Sequence, residues 1–439
     1  MQSLRQSPRE IAALPFRIYT HHNLHQIQQL DQLSDDDRFA IRVVAQVLPF
    51  RVNQYVIDQL IDWRDVPNDP IFRLVFPQPE MLAPEHFHRI AELMKRGAEK
   101  ADIVQAAREI QQQLNPHPAG QMTLNVPRIG NEVLAGAQHK YRETLLFFPS
   151  QGQTCHSYCT FCFRWPQFVE DKQLHISARE VATLHEYLQS HVELSDLLVT
   201  GGDPMIMKSS RLEDYLRPLT QPEFEHLQTI RIGTKALTFW PYRFVTDPDA
   251  DDMLRLFEDL VRSGKHVTVM AHFEHWREME GPVVAEAVRR IANTGVVIRT
   301  QAPVLRNIND DPEIWAKMWR EQVRMGMVPY YMFVERDTGA RRYFELPLER
   351  TWQIYRDAIA QVSGLARTAR GPSMSSLPGK VEVQGITDVQ GEKVFVLRFI
   401  QARNPDWVQR PFFAKYDSRA TWLDQLRPAF GEEKFFFEQ

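Results

Sequence analysis

Cysteine is nearly missing from this chain of 439 residues: there are three, Cys155, Cys159 and Cys162, all in one short segment. An odd number packed so closely excludes a disulfide framework. No apolar run approaches the ~18–20 residues needed to span a bilayer. The start, Met1-Gln2-Ser3-Leu4-Arg5-Gln6-Ser7-Pro8-Arg9-Glu10, lacks the apolar core of a signal peptide. Charge of one sign is not in excess: Lys and Arg total 52, Asp and Glu 56, for a net charge of −4. That offers no global basic field for nucleic acid or an anionic membrane. Internal repeats and low-complexity tracts are absent. What remains is 43% hydrophobic and 25% charged, enough for a large core. The expectation is a soluble cytoplasmic protein with neither nucleic-acid nor membrane partners, of about three structural units.

Residues 1 to about 135 read as mostly helical. Asp35-Asp36-Asp37 heads one helix, Pro84 opens another, and a third runs from Ile103 to Leu114 before Asn115-Pro116-His117-Pro118 stops it. Then the rhythm changes. Strand candidates at Leu145–Phe148, Leu197–Thr200, Thr229–Ile232, His266–Ala271, Val296–Thr300 and Val328–Val334 are each followed by a helix candidate: 177–191, 211–218, 250–263, 281–293, 311–325 and 346–362. Strands alternating with helices imply a parallel sheet with crossovers, either doubly wound or an incomplete βα barrel. Function then belongs at the C-terminal strand ends. After Gly364 the pattern lapses through Arg367–Lys380, then gives a strand pair at Val381–Gly385 and Lys393–Phe399. The aromatic tail ending Phe435-Phe436-Phe437 is expected to be packed or at an interface.

The cysteines lie in Gly152-Gln153-Thr154-Cys155-His156-Ser157-Tyr158-Cys159-Thr160-Phe161-Cys162-Phe163-Arg164, directly after the first strand candidate. Three readings compete. Structural zinc with His156 as fourth ligand is strained, because His156 adjoins Cys155 and zinc sites favour paired spacings. Buried free thiols are the bland alternative. The third is an iron–sulfur cluster whose fourth iron has no protein ligand, and spacing and position favour it.

CxxxCxxC after strand one, with aromatic Phe161 inside it, resembles the radical S-adenosylmethionine (SAM) enzymes. That resemblance implies a [4Fe–4S] cluster on Cys155, Cys159 and Cys162, with SAM chelating the open iron. It also implies a partial (β/α)6 barrel, here with a helical N-terminal region (1–135), the barrel (136–375) and a small β-containing C-terminal extension (376–439). Gly201-Gly202-Asp203-Pro204 at the end of strand two looks like the family's GGE motif for the SAM amino group. Within the superfamily the chain resembles lysine 2,3-aminomutase and its relatives over 139 to 382. The shared pieces are His139-Lys140-Tyr141, Arg231-Ile232-Gly233-Thr234, His272-Phe273-Glu274-His275, Gln301, Pro329-Tyr330-Tyr331 and Pro378-Gly379-Lys380.

The resemblance assigns the remaining roles. Lys380 would carry pyridoxal 5′-phosphate (PLP), with Lys140, Tyr141 and Arg142 near that cofactor; Ser375 to Pro378 replace the usual glycines, and Thr144 stands at a second, normally basic position. Thr234, His272 and Gln301 would line SAM. His272 and His275 are poorly spaced for a metal pair, and Gly371 to Lys380 fails as a Walker A loop. Arg164 matches the residue that pairs with the substrate carboxylate, a task suited to a planar guanidinium. An electron donor such as flavodoxin or ferredoxin is implied, and a homo-oligomer is compatible.

The substrate expectation follows from two positions. Lysine-acting members hold the ε-ammonium with two carboxylates. Here those positions fall at Arg336 and near Ser373, and no Asp or Glu lies between Asp357 and Glu382. Glu335 and Asp337 flank Arg336. An acidic substrate such as glutamate is therefore expected, with lysine the alternative. Two rival classes are a radical SAM enzyme of another reaction type without PLP and a non-catalytic metal- or cluster-binding protein.

Overall fold

The structure, a computed structural model, describes residues 11–169, 171, 174–177 and 181–438. Eleven strands form one sheet whose spatial order is the order of the chain. β1 (Ala137–Tyr141) and β2 (Thr144–Phe147) make an antiparallel hairpin. From β2 the pairing is parallel through β3 (Asp196–Val199), β4 (Thr229–Thr234), β5 (His266–His272), β6 (Val297–Val304), β7 (Val328–Val334) and β8 (Arg370–Ser375). β9 (Gly379–Val389), β10 (Glu392–Ala402) and β11 (Pro411–Lys415) continue it antiparallel.

All six expected strands are present, and each is followed by its expected helix. Four N-terminal helices, α1 (Asp35–Val44), α2 (Pro70–Val75), α3 (Pro84–Lys95) and α4 (Lys100–Gln113), precede the sheet. The crossover helices are α5 (Val181–Ser190), α6 (Ser209–Leu216), α7 (Ala250–Arg262), α8 (Pro282–Asn293) and α9 (Pro312–Arg324), with α10 (Leu348–Ala360) after β7. Residues 178–180, inside the expected first crossover helix, and residues 1–10 lie outside the described set. Local chemistry sets the boundaries. The Asp311 side chain accepts from Glu313 N at the start of α9, with Pro312 in the first turn. Gly264, Gly295 and Gly326 take positive φ just past α7, α8 and α9, the left-handed stop that glycine adopts without a Cβ clash.

One expectation changes. The stretch Arg367–Lys380 is not irregular: β8 lies in it, pairing parallel with β7 (Tyr331 opposite Arg370) and antiparallel with β9. Arg370-Gly371-Pro372-Ser373-Met374-Ser375 has no strand alternation to read. Its conformation is imposed by its neighbours, and Gly371 lets it approach, since a Cβ there would lie 2.2 Å from Met332 O. The N-terminal region carries two short strand pairs beside its helices. Ile18–Thr20 pairs with Arg51–Asn53, and Arg128–Ile129 with Glu132–Val133. One hydrophobic core runs from Tyr19 and Phe50 through the sheet to Ala369, so the N-terminal helices share the parallel sheet's interior. A second core under β9–β11 holds Phe399, Phe412, Trp422 and Phe435, with Phe436 and Phe437 packed against it as expected of the tail. Among the described residues no helix is long and apolar enough to cross a membrane.

Candidate functional site

The cysteine loop leaves the C-terminal end of β2 and is held from the N-terminal region. Asn53, fully buried, donates from its side-chain amide to His156 O (3.2 Å) and Phe239 O (2.7 Å), and its backbone N–H donates to the Ser157 hydroxyl (3.0 Å). Tyr158 N donates to Arg51 O (2.8 Å) and Thr160 N to Leu74 O (2.9 Å). Burial raises all three thiols, Cys162 to about 12; Cys162 and Cys159 push Cys155 further up, and Cys162 does the same to Cys159. The thiols are thus neighbours, yet among the described residues no set of three His, Cys, Asp or Glu side chains is gathered as a metal-ligand group. As a donor set, three thiols on one loop without a fourth protein ligand fit a cluster with an open position. Phe161 is buried edge-on against Phe344. His156 packs against Phe16, and burial holds its imidazole neutral, down at about 3. Asn53 itself was invisible to sequence reasoning. Asn53→Ala strips donors from two buried carbonyls, and urea unfolding is expected to show a loss of about 3 kcal/mol, with iron content after reconstitution falling in parallel.

The Gly201-Gly202-Asp203 turn at the end of β3 packs directly on this loop. A Cβ on Gly202 would lie 2.5 Å from Thr154 N and O, so only glycine fits the cradle. Asp203 N donates to Thr154 O (2.8 Å). The Asp203 carboxylate accepts from Thr234 Oγ1 (2.7 Å), Lys235 N and Met205 N (both 2.9 Å). It therefore braces the ends of β3 and β4 with its own protein donors. His272 and Gln301 face each other across β5 and β6, their Nε2 atoms 2.9 Å apart. Beside them lies a group that sequence reasoning missed. Lys235, its side chain 10% exposed, donates to both Glu274 and Glu278, which are fully buried. Burial alone would lower this lysine, but the two carboxylates outweigh it and keep it charged, and that charge opposes the rise at Cys159. Its signal was the lysine after Thr234 and the acids within His272–Glu278, all at strand ends.

Lys380 sits on β9 with Nζ 4.0 Å from the Tyr331 ring centroid. Burial, then the cations Arg231, Arg370 and Arg336, lower its amine to about 7. Lys140 on β1 is lowered to about 6 by burial, Arg403, Arg336 and Lys380, and it donates to Ser376 O in the turn before Lys380. Arg403, from the C-terminal extension, donates to Leu377 O (2.8 Å) in the same turn. Burial raises the Tyr141 phenol beside Arg336 and Arg403. So many cations around two neutralised amines fit a cofactor that brings a phosphate and carbonyl chemistry. Arg142 does not join them: it lies exposed in the β1–β2 turn, beyond the strand alternation that aims Lys140 and Tyr141. Thr144 instead bonds Asp196 (3.1 Å), which also pairs with Arg231. PLP loading of the apo-protein is expected to quicken as pH rises through about 7, because the neutral amine is the nucleophile, and to level off about one unit above. Stopped-flow absorbance checks this; a rate still climbing at pH 10 would mean an ordinary lysine.

Arg164 and Arg336 complete the site. Arg164 is buried and Arg336 half-buried, and the buried Nε and Nη1 of Arg164 and Nε and Nη2 of Arg336 have no hydrogen-bond partner. Burial lowers Arg164 to about 9, and the Arg336 cation pushes it further; burial lowers Arg336 as well, against the opposing pull of Asp337, Tyr141 and Glu335. Asp337 Oδ1 is 3.9 Å from Arg336 Nε, too long for a hydrogen bond, and is itself unpartnered. Glu335 is buried with Oε1 unpartnered, and burial raises its carboxyl well above the usual range. Ser373 Oγ is buried and unpartnered as well.

Comparison with known proteins decides the family. A putative L-lysine 2,3-aminomutase of Aquifex aeolicus is 32% identical over 406 residues, 92% of this chain and 95% of that protein. The chain belongs to the lysine 2,3-aminomutase family. Its members are radical SAM isomerases. L-lysine 2,3-aminomutase of Escherichia coli is 29% identical over 256 residues, 56% of this chain and 70% of that one. Glutamate 2,3-aminomutase of Clostridioides difficile is 28% identical over 212 residues, 48% of this chain and 47% of that one. No protein-family model matches.

Proposed function

We propose that this chain is a radical SAM, PLP-dependent 2,3-aminomutase acting on an acidic amino acid, with L-glutamate the leading substrate. The observation that carries the substrate is the pair Arg164 and Arg336: two guanidiniums, each with two buried, unpartnered nitrogens and no hydrogen-bonded carboxylate. Holding two cations this way is costly unless anions join them, and a dicarboxylate supplies both. In this reading the parallel strands are the family's partial (β/α)6 barrel, 1–135 covers it and 376–439 extends it.

Cys155, Cys159 and Cys162 would hold the cluster; Gly201, Gly202, Asp203, Thr234, His272 and Gln301 would line SAM; Lys380, with Lys140 and Tyr141, would hold PLP. Bound together, these groups supply a 5′-deoxyadenosyl radical and a carrier that lets an amino group move from Cα to Cβ. The protein's part is placement. Arg164 fixes the α-carboxylate and Arg336 the side-chain carboxylate, which orients Cβ. Lys380 offers a neutral amine near neutral pH. Lys235, held by Glu274 and Glu278, keeps a fixed positive charge beside Cys159. The N-terminal region shares the sheet's core, and in this reading it would keep water from the strand ends, where a radical would be quenched. A flavodoxin- or ferredoxin-class donor would supply the electron.

L-Lysine is the second reading, favoured by the unpartnered buried oxygens of Glu335 and Asp337. Anaerobic turnover of single amino acids by the reconstituted enzyme separates the two. Conversion of L-glutamate to its β-isomer is expected; efficient L-lysine turnover with glutamate inert overturns the acidic assignment.

A further inference from the structure

His117 belongs to none of the roles above. It lies in Asn115-Pro116-His117-Pro118, just past α4, far in sequence from every site residue. Both its ring nitrogens are buried, and neither has a hydrogen-bond partner. His117 as a whole is only half-buried, but two buried ring nitrogens without partners are costly to keep. Its charged neighbour is Arg164, whose own Nε and Nη1 are unpartnered.

The segment is fixed against the two arginines through one hydroxyl. Thr338 Oγ1 donates to Asn115 O (2.6 Å) and lies 3.2 Å from Leu114 O, while it accepts from Trp165 Nε1 at 3.0 Å. Trp165 adjoins Arg164, Thr338 is two residues past Arg336, and Asn115 is two residues before His117. Asn115 Nδ2 adds a bond to Asp337 O (2.7 Å), and Gly339 N one to Leu114 O (2.9 Å). A Cβ on Gly339 would meet the Trp165 ring at 2.9 Å, so the three segments close on each other tightly. The flanking prolines, each with φ restricted by its ring, stiffen the delivery of the imidazole.

We propose that His117 is a substrate-binding residue of the pocket, donating a hydrogen bond to the carboxylate that Arg164 binds. The proposal rests on the aminomutase reading of Arg164. Burial and the Arg164 cation keep the imidazole below its ordinary range, so it presents one N–H and one bare nitrogen without adding a third positive charge. It thereby helps read an anion without worsening the repulsion between the arginines.

The test uses PLP-loaded protein without SAM and follows L-glutamate binding by the change in cofactor absorbance, alongside steady-state turnover of the complete enzyme. His117→Leu is expected to weaken binding and raise KM by about tenfold or more, with kcat changed far less and the thermal midpoint held. His117→Gln, which keeps an N–H donor, should recover most of the affinity. Imidazole-labelled wild type should show the His117 resonance move on adding L-glutamate. Wild-type affinity in His117→Leu, or an unmoved resonance, overturns the assignment while leaving the function intact. A wild type that neither binds nor converts any amino acid overturns the function, and this assignment with it.

Discussion

Arg336→Gln is expected to lower kcat/KM for L-glutamate by about a thousandfold, the scale of losing one side of a buried charge-assisted contact. The same change should raise, not lower, the thermal midpoint of substrate-free protein. Arg336 lies beside Arg164 with buried, unpartnered donors, so removing its charge relieves a repulsion. The two measurements together are decisive. A structural arginine would lose stability when replaced, whereas a ligand-binding one loses catalysis and gains stability. A fall in midpoint with unaltered turnover would remove Arg336 from the substrate site.

Lys380→Ala should abolish turnover, by at least about three orders of magnitude, and remove the absorbance of attached PLP. Two lysines in this site are neutral near physiological pH, Lys380 at about 7 and Lys140 at about 6. Only Lys140 is occupied by a hydrogen bond, to Ser376 O. Borohydride reduction followed by peptide mapping should therefore mark Lys380. A mark on Lys140 would transfer the attachment to β1 and make Lys380 its electrostatic neighbour.

Much of the architecture was legible because it rests on local patterns. Each of the six β-then-α units announces itself by an apolar run and an amphipathic stretch. The cysteine spacing and the Gly201-Gly202-Asp203 turn are likewise contiguous. What could not be read depends on distant partners. β8 contains glycine and proline and becomes a strand only because β7 and β9 flank it. Arg142 matches a motif by position but lies in a turn that points it out of the site. Asn53, Thr338 and His117 are ordinary residues in sequence, and their parts arise from bonds to segments far along the chain. Lys235 sat beside a recognised motif, but its charge acquires meaning only once Glu274 and Glu278 close on it.

The Asn53 clamp also orders events during synthesis. Strands added one after another at the sheet's growing edge let a chain fold as it emerges from the ribosome. Asn53 cannot follow that schedule, since its two carbonyl partners lie 103 and 186 residues downstream. Until Phe239 has been made, the cysteine loop lacks one side of its brace. The nascent chain thus contains Cys155, Cys159 and Cys162 before every bond that holds Asn53 against their loop can form.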